Sequence, residues 1–320
     1  MYFLRRLLFL VPLTLLIATM AFFLVRVAPG GPFDRERRPA SPAVERALAA
    51  KYHLDESLAS QYLRFLGLKW ERRPDGTWGR VPGGLLAGDL GLSLKYRDHS
   101  VADIIRQGLP VSLTLGGMAF LFSMGIGIPM GFFTAVRRGT AGDWLGSALA
   151  LVFLCIPGFV VGPVLILLFA LQAGWFPVGL WGTPMHAVLP MVALGLYFGG
   201  RIARLTREGM TQALQSEFVR TARAKGASEF RVLLHHAFPI GVMPVVSYSG
   251  PMLADLLTGS FVVENIFQIP GIGVFMVNSS LSRDYTMVVG LVLLYAVLLL
   301  VLNLLVDVAY SLLDPRVRYE

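Results

Sequence analysis

Residues 217–239, between two apolar stretches, carry six charged side chains that could contact another molecule. Gly226 separates two short helical patterns there, and glycine accepts backbone conformations that allow a bend. Apolar residues give each pattern an apolar side: Leu214, Phe218 and Ala222 before the glycine, and Phe230, Leu233 and Leu234 after it. The chemistry indicated is recognition, because such a segment suits a membrane surface or a groove on another protein.

Motifs for catalysis and for nucleotide binding are missing from the sequence. It contains no G-x4-G-K-[ST], H-E-x-x-H or G-x-S-x-G. His235 and His236 are adjacent, so on a helix their rings point about 100° apart and do not share a metal. Ser123, Ser147 and Cys155 lie in apolar runs that contain no matching His. We expect no catalytic residue, no metal site and no cofactor bound by this chain, with an intramembrane enzyme as a less favoured alternative.

Asp255 is the acidic residue that lies deepest in an apolar run. A charge at the centre of a membrane helix costs about 2.5–3.5 kcal/mol, so such residues pair or face water. Asp255 is therefore either a pathway residue or a member of a structural pair, and the sequence leaves both open. Asp307 lies near the end of its run, where it can reach water.

Amino-acid composition indicates the class of protein in which these residues are positioned. Of 320 residues, 55% are hydrophobic and only 15% are charged, with a net charge of +8. An ordinary soluble domain has about 25% charged residues. This balance excludes a disordered chain, and it argues against a soluble enzyme and against a nucleic-acid partner, which requires a charged surface. A polytopic membrane protein in contact with lipid is the remaining class.

Six transmembrane helices are predicted, and the fold class is all-α integral membrane. A span needs about 20 apolar residues. The uncharged run 144–200 is too long for one crossing, and Pro and Gly residues near Trp175 and Trp181 divide it. The predicted spans cover about 7–25, 107–136, 145–171, 186–205, 237–262 and 286–312. Glycine pairs at 127/131, 158/162 and 195/199 predict close helix packing within the chain.

Arginine and lysine in the short loops predict that both termini are cytoplasmic. The short loops 172–185 and 264–285 hold only Arg283 and are placed outside. Residues 206–239 then form a cytoplasmic loop, and 28–106 form an extracytoplasmic lobe between helices 1 and 2. In the lobe, residues 41–66 have helical spacing and residues 69–94 read as a glycine-rich loop. The first span is expected to be a retained anchor rather than a cleaved signal.

Several motifs together resemble those of a known family. Arg220-Thr-Ala, Gly226 and His236-Ala-Phe-Pro239 are similar to the pattern E-A-A-x3-G-x9-I-x-L-P of importer permeases of the ATP-binding-cassette (ABC) class, in its peptide and nickel branch. In this chain Arg220 replaces the glutamate of the pattern. Further segments at 28–33, 50–54, 93–98, 270–273 and 307–319 resemble the B-type membrane subunits of bacterial oligopeptide importers.

This resemblance implies a type I ABC importer permease, a single transmembrane domain over residues 1–320 in the bacterial inner membrane. The 206–239 loop would couple to an ATPase, and the residues carried over from the motif and its flanks are Glu217, Arg220, Thr221, Ala222, Lys225, Gly226 and Pro239. Implied partners are a second homologous permease, two cytoplasmic ATP-binding subunits that use the ATP, and an extracytoplasmic peptide-binding protein. The implied cargo is oligopeptides. Dipeptide, glutathione and nickel importers are alternatives, and a secondary transporter is less favoured because no internal repeat is visible.

Overall fold

The structure is a computed structural model that describes residues 2–27, 42–72, 77–96, 98–259 and 261–313. The motif at 28–33, Ser41 and the C-terminal residues 314–320 lie outside the described residues, as does the side chain of Asp307. The helices are α1 (Tyr2–Val27), α2 (Pro42–Lys51), α3 (Leu58–Leu66), α4 (Val101–Val136), α5 (Ala141–Cys155), α6 (Gly158–Leu165), α7 (Pro184–Leu214), α8 (Glu217–Ala224), α9 (Glu229–Arg231), α10 (Phe238–Gly241), α11 (Met243–Gly259), α12 (Phe261–Ile266), α13 (Ile272–Ser282) and α14 (Tyr285–Leu313). Two π-helical turns, Ile166–Gln172 and Val232–Ala237, follow α6 and α9.

Four described helices are long and apolar enough to cross a membrane, and two bent pairs bring the number to as many as six. The predicted third span is one of these pairs, because the chain bends by 99° between α5 and the segment Gly158–Gln172. The residue before a proline disfavours the helical region, and Ile156, which precedes Pro157, is extended (φ −84°, ψ 117°). The predicted fifth span is the other pair, bent by 45° at residue 242.

Two helices extend beyond the spans predicted from the sequence. The helix of the second span, α4, begins at Val101 rather than at 107, because Ser100 caps it. Its Oγ accepts from the backbone N–H of Asp103 at 3.0 Å and donates to the Asp103 carboxylate at 2.6 Å. The helix of the fourth span, α7, continues to Leu214 rather than ending near 205. About the first quarter of the predicted 206–239 loop, residues 206–214, is therefore a helical extension.

The chain divides into two compact units, one formed by residues 1–3, 111–273 and 298–320 and the other by 4–110 and 274–297. In the first unit a buried apolar core surrounds α7 and contains Phe198, Ile202 and Leu256. An added Cβ at Gly127 would lie 2.6 Å from the carbonyl oxygen of Gly199, so α4 and α7 are in backbone contact. The predicted packing role of this glycine is confirmed.

The same unit contains a buried carboxylate, Glu264, whose relative exposure is 0%. It accepts from the Ser112 hydroxyl at 2.7 Å and from the backbone N–H of Gly273 at 3.0 Å. A carboxylate is favourable at the beginning of a helix, here α13. An added Cβ at Gly271 would lie 2.5 Å from the Ser112 Oγ, which explains the glycine in this motif. The predicted loop 264–285 thus contains a helix.

The second unit holds most of the predicted lobe. Phe22 of α1 is 1% exposed and packs against Tyr62 and Phe65 of α3, with ring centroids 5.2 Å apart in both pairs. A short antiparallel hairpin, β1 (Trp70–Arg72) and β2 (Trp78–Arg80), lies where the sequence predicted a loop, although the chain is mostly helical. Three residues per strand are too few for a visible alternation pattern.

Ion pairs fix this lobe at Glu56. Its carboxylate accepts from Lys69 at 2.6 Å and from Arg64 and the Ser60 hydroxyl at 2.8 Å each. Burial raises the pKa of Glu56, but these hydrogen bonds outweigh that effect and lower the pKa to about 2. Asp284, fully buried, accepts from the backbone N–H of Met287 at 3.1 Å and so caps α14.

Candidate functional site

The segment that follows α7 forms two short helices joined by a tight turn. Gly226 has φ +80°, the left-handed conformation that glycine adopts without strain. The N–H of Gly226 donates to the carbonyl of Arg223 at 2.9 Å, and the N–H of Ala227 donates to that of Ala222 at 3.2 Å. These two bonds form a Schellman motif, which terminates α8 and turns the chain into α9. The predicted bend at Gly226 is therefore confirmed.

The inner face of this turn is held by a small apolar cluster. Val219, Ala222 and Val232 are buried against Ala135 of α4 and Met210 of α7. Two apolar residues of the sequence pattern, Phe218 and Phe230, are 40% and 71% exposed, as expected for a surface that contacts a membrane or another protein. Small and β-branched residues of the segment pack against the ends of α4 and α7, and the two phenylalanines lie on the surface. An outer face with exposed aromatic rings suits contact with another molecule.

Ion pairs stiffen the outer face. Arg223 donates to Glu229 through Nη2 at 2.6 Å and Nε at 3.1 Å, which joins α8 to α9 across the glycine turn. Arg220 donates to Glu217 at 2.8 Å, one turn away on α8. Sequence reasoning did not single out Arg223 and Glu229. The signal was available as opposite charges six residues apart on either side of a turn glycine.

A buried clamp attaches the supporting helix to its neighbour. Arg207 of α7 donates to both carboxylate oxygens of Asp143, at 2.7 and 2.9 Å, and Asp143 is 6% exposed. The same carboxylate accepts from the backbone N–H of Gly139 at 3.0 Å and from Ser147 at 3.1 Å. A bidentate pair of this kind fixes the orientation of the arginine side chain relative to the carboxylate. No spacing pattern in the sequence identifies this contact, because the two residues are 64 positions apart.

The residues predicted for the loop occupy one continuous region, with different exposures. The exposed ones are Glu217, Arg220, Thr221, Lys225, Gly226 and Pro239. Ala222 is the exception, since it is 9% exposed and packs inward. The Thr221 hydroxyl donates to the carbonyl of Glu217 at 2.9 Å, so it forms a hydrogen bond within α8.

Asp255 does not belong to this loop. It lies on α11, twelve residues after Met243, and its side chain is exposed. Its place on a long apolar helix leaves the prediction of a pathway residue standing. Among the described residues, no three His, Cys, Asp or Glu side chains lie close enough to hold a metal ion.

Comparison with known proteins identifies the family to which this chain belongs. Residues 127–319 match the family model described as binding-protein-dependent transport system inner membrane component. The chain is 40% identical over 320 residues to the oligopeptide transport system permease protein OppB of Escherichia coli K12, covering 99% of both chains. It is 39% identical over 317 residues to OppB of Haemophilus influenzae, covering 98% of both. It is 38% identical to the dipeptide permease DppB of Bacillus subtilis, covering 99% of this chain and 97% of the relative.

A solved structure of the MetNI methionine ABC transporter in an inward-facing conformation shares the fold. The TM-score is 0.56 at 18% identity, covering 66% of this chain and 96% of that one. The matched family consists of transport components, not enzymes. This chain therefore belongs to the binding-protein-dependent transport system inner membrane components and is a multi-pass permease of the inner membrane, related to the permeases of oligopeptide and dipeptide ABC importers.

Proposed function

We propose that this chain is one permease subunit of an ATP-driven importer of oligopeptides. The supporting observation is the full-length identity of about 40% to oligopeptide permeases, combined with an exposed turn at Gly226 on a rigid base. The chain pairs with a second, homologous permease to form the pathway. Two cytoplasmic ATPases supply the energy, and an extracytoplasmic protein delivers the peptide. This chain itself binds no ATP, metal or other cofactor.

The proposed topology has six spans, with each bent pair counted as one, and both termini in the cytoplasm. The outer face of α8 and α9 docks on an ATPase, through Glu217, Arg220, Lys225 and the exposed rings of Phe218 and Phe230. Closure of the ATPases then moves this surface. The Arg207–Asp143 clamp and the apolar cluster transmit the motion to α7 and α5, because packed elements move as rigid bodies. Asp255 is assigned to the pathway.

Transport is the direct test. The permease pair, the ATPases and the binding protein are reconstituted in liposomes, and uptake of labelled peptides of two to five residues is measured with glutathione and Ni²⁺ as comparison cargoes. We expect ATP-dependent uptake of peptides longer than two residues. Uptake restricted to dipeptides would support the second candidate, favoured by the 38% identity to a dipeptide permease. Uptake driven by an ion gradient without ATP would contradict the proposal.

Topology is tested with cysteine labelling. The single cysteine, Cys155, is first replaced by serine, and Lys225→Cys or Trp78→Cys is then added. Both positions are exposed, and Trp78 lies on the lobe hairpin. An impermeant maleimide should label position 78 in right-side-out vesicles and position 225 only in inverted ones. The reverse pattern would contradict the orientation.

A further inference from the structure

One side of α7 carries polar residues although the helix is long enough to span the membrane. Tyr197, Arg201, Arg204 and Glu208 recur at spacings of four, three and four residues, so they form one stripe along the helix. All four are exposed in this chain. The opposite side of α7, which includes Phe198 and Ile202, is buried in the core. The helix therefore separates an apolar inner side from a polar outer side.

This polar stripe is not the kind of surface that contacts lipid. The exposed side of α5 provides a contrast, because the large side chains exposed there are all apolar: Trp144, Leu145, Leu149, Leu151 and Val152. Charged side chains within a span almost always face a water-filled cavity or a protein partner. The stripe on α7 thus faces water, cargo or another subunit.

Arg201 lies deeper than the other charges of the stripe. It is seventeen residues after Pro184, the first residue of α7, or about 26 Å along the helix. Arg207, held by Asp143 at the beginning of α5, is six residues further on, or about 9 Å. Since the hydrocarbon core is about 30 Å thick, Arg201 lies inside it on the proposed topology.

Arg201 lies beside Tyr248 on α11, with its guanidinium carbon 4.4 Å from the ring centroid. A guanidinium has five N–H donors, so those not directed at the tyrosine can still form two parallel bonds to a carboxylate. Arg204 differs, because it pairs with Glu208 at 3.5 Å. Within the described residues, Arg201 has no such acidic partner.

Two exposed polar residues continue this surface along α11. Ser247 and Asp255 lie on one side of the helix that carries Tyr248, with the exposed Pro251 between them. Asp255 lies seven residues after Tyr248, or about 10 Å along the axis. The exposed polar sides of α7 and α11 therefore run from Glu208 at one end to Asp255 at the other.

We propose that Arg201 reads the C-terminal carboxylate of the peptide as it passes between the permease subunits. This rests on the proposed function. A free C-terminus is the one anion that every unmodified peptide carries, whatever its side chains. Bidentate binding to the Arg201 guanidinium, beside the Tyr248 ring, would recognise it independently of sequence. Arg201 is then a specificity residue of the pathway, and Tyr248 is a positioning residue that contacts the guanidinium.

The test compares one peptide with a free or an amidated C-terminus. Uptake is measured in liposomes with the complete transporter, and the binding protein is saturated with either peptide, as checked by separate binding measurements. We expect the wild type to import the free acid at least about tenfold faster, as for a charge-assisted pair. Arg201→Gln should lower acid uptake to the amide rate, and Arg201→Lys should restore part of the difference. The matched control Arg204→Gln, three residues away, should keep the wild-type ratio.

The possible outcomes separate the alternatives. Equal loss of both peptides in Arg201→Gln would overturn the inference and indicate a contact with the second permease. An unchanged ratio in that variant would also overturn it, and would indicate a lipid-facing arginine. If the Arg201→Gln variant fails to assemble, the Arg201→Lys variant provides the test. An unchanged ratio of free-acid to amide uptake in that variant would exclude bidentate recognition and overturn the inference. Absence of peptide uptake by the wild type would contradict the proposed function itself.

Discussion

Replacing Gly226 tests whether the shape of the turn couples the permease to its ATPase. Its φ of +80° lies in the left-handed region, which costs a residue with a Cβ about 1–2 kcal/mol. Within the described residues, no atom lies within 4 Å of an added Cβ, so Gly226→Ala adds strain without a clash. At 1.4 kcal/mol for each factor of ten, the ordered turn should become about 5–30-fold less populated.

Gly226→Val should have a larger effect, because β-branched residues are genuine outliers at positive φ. We expect it to abolish docking and uptake. Gly226→Asn is the matched control, since Asn adds a side chain but tolerates the left-handed region. The assays are titration of the ATPase onto the permease pair in nanodiscs, ATPase activity stimulated by loaded binding protein, and peptide uptake. Immunoblots of the membrane fraction should show normal insertion for all three variants.

Two results would refute this reasoning. Normal uptake by Gly226→Val would exclude a coupling role for the turn. If Gly226→Asn loses docking as completely as Gly226→Val, then the added side chain blocks the interface and backbone conformation is not the cause.

Three further predictions concern packing and charge. Gly127→Ala should destabilise the detergent-solubilised permease by about 1–3 kcal/mol in thermal unfolding, because its Cβ would lie 2.6 Å from a backbone oxygen, whereas Gly125→Ala, on the same helix, has open space and should not. Equal melting temperatures would contradict backbone contact between α4 and α7. A double-mutant cycle on Arg223 and Glu229 should give a coupling energy of about 0.2–1 kcal/mol in ATPase docking, since the pair is exposed, and zero would exclude a stiffening role. Because the pKa of Glu56 is lowered from 4.5 to about 2, its contribution to lobe stability is complete above pH 4.5 and is lost as the pH falls towards 2. Hydrogen exchange of lobe amides should show this loss, and Glu56→Gln should remove it; an unchanged acid profile in that variant would refute the assignment.

Much of the architecture follows from local sequence properties. The low charge content determines that the helices lie in a membrane, and runs of about 20 apolar residues locate α1, α4, α7 and α14 to within several residues. Gly226 and the charges around it identify the exposed turn, because a Schellman motif depends on neighbouring residues. The spacing of Gly127 and Gly131 likewise predicts close helix packing.

Tertiary structure decided the rest. The bend before Pro157 is missed because a proline within a span is compatible with both a straight and a broken helix. The choice of Val219 and Val232 for the inner side of the turn, in place of Phe218 and Phe230, depends on the space left by α4 and α7.

The long-range polar contacts depend most clearly on the tertiary structure. The Arg207–Asp143 clamp and the Ser112–Glu264 bond join residues 64 and 152 positions apart. No periodicity in the sequence encodes which buried acid meets which donor, because that pairing is set by the helix packing. The sequence by itself therefore determines a membrane permease with an exposed turn, and the packing of α7 determines how the turn is held and where Arg201 faces.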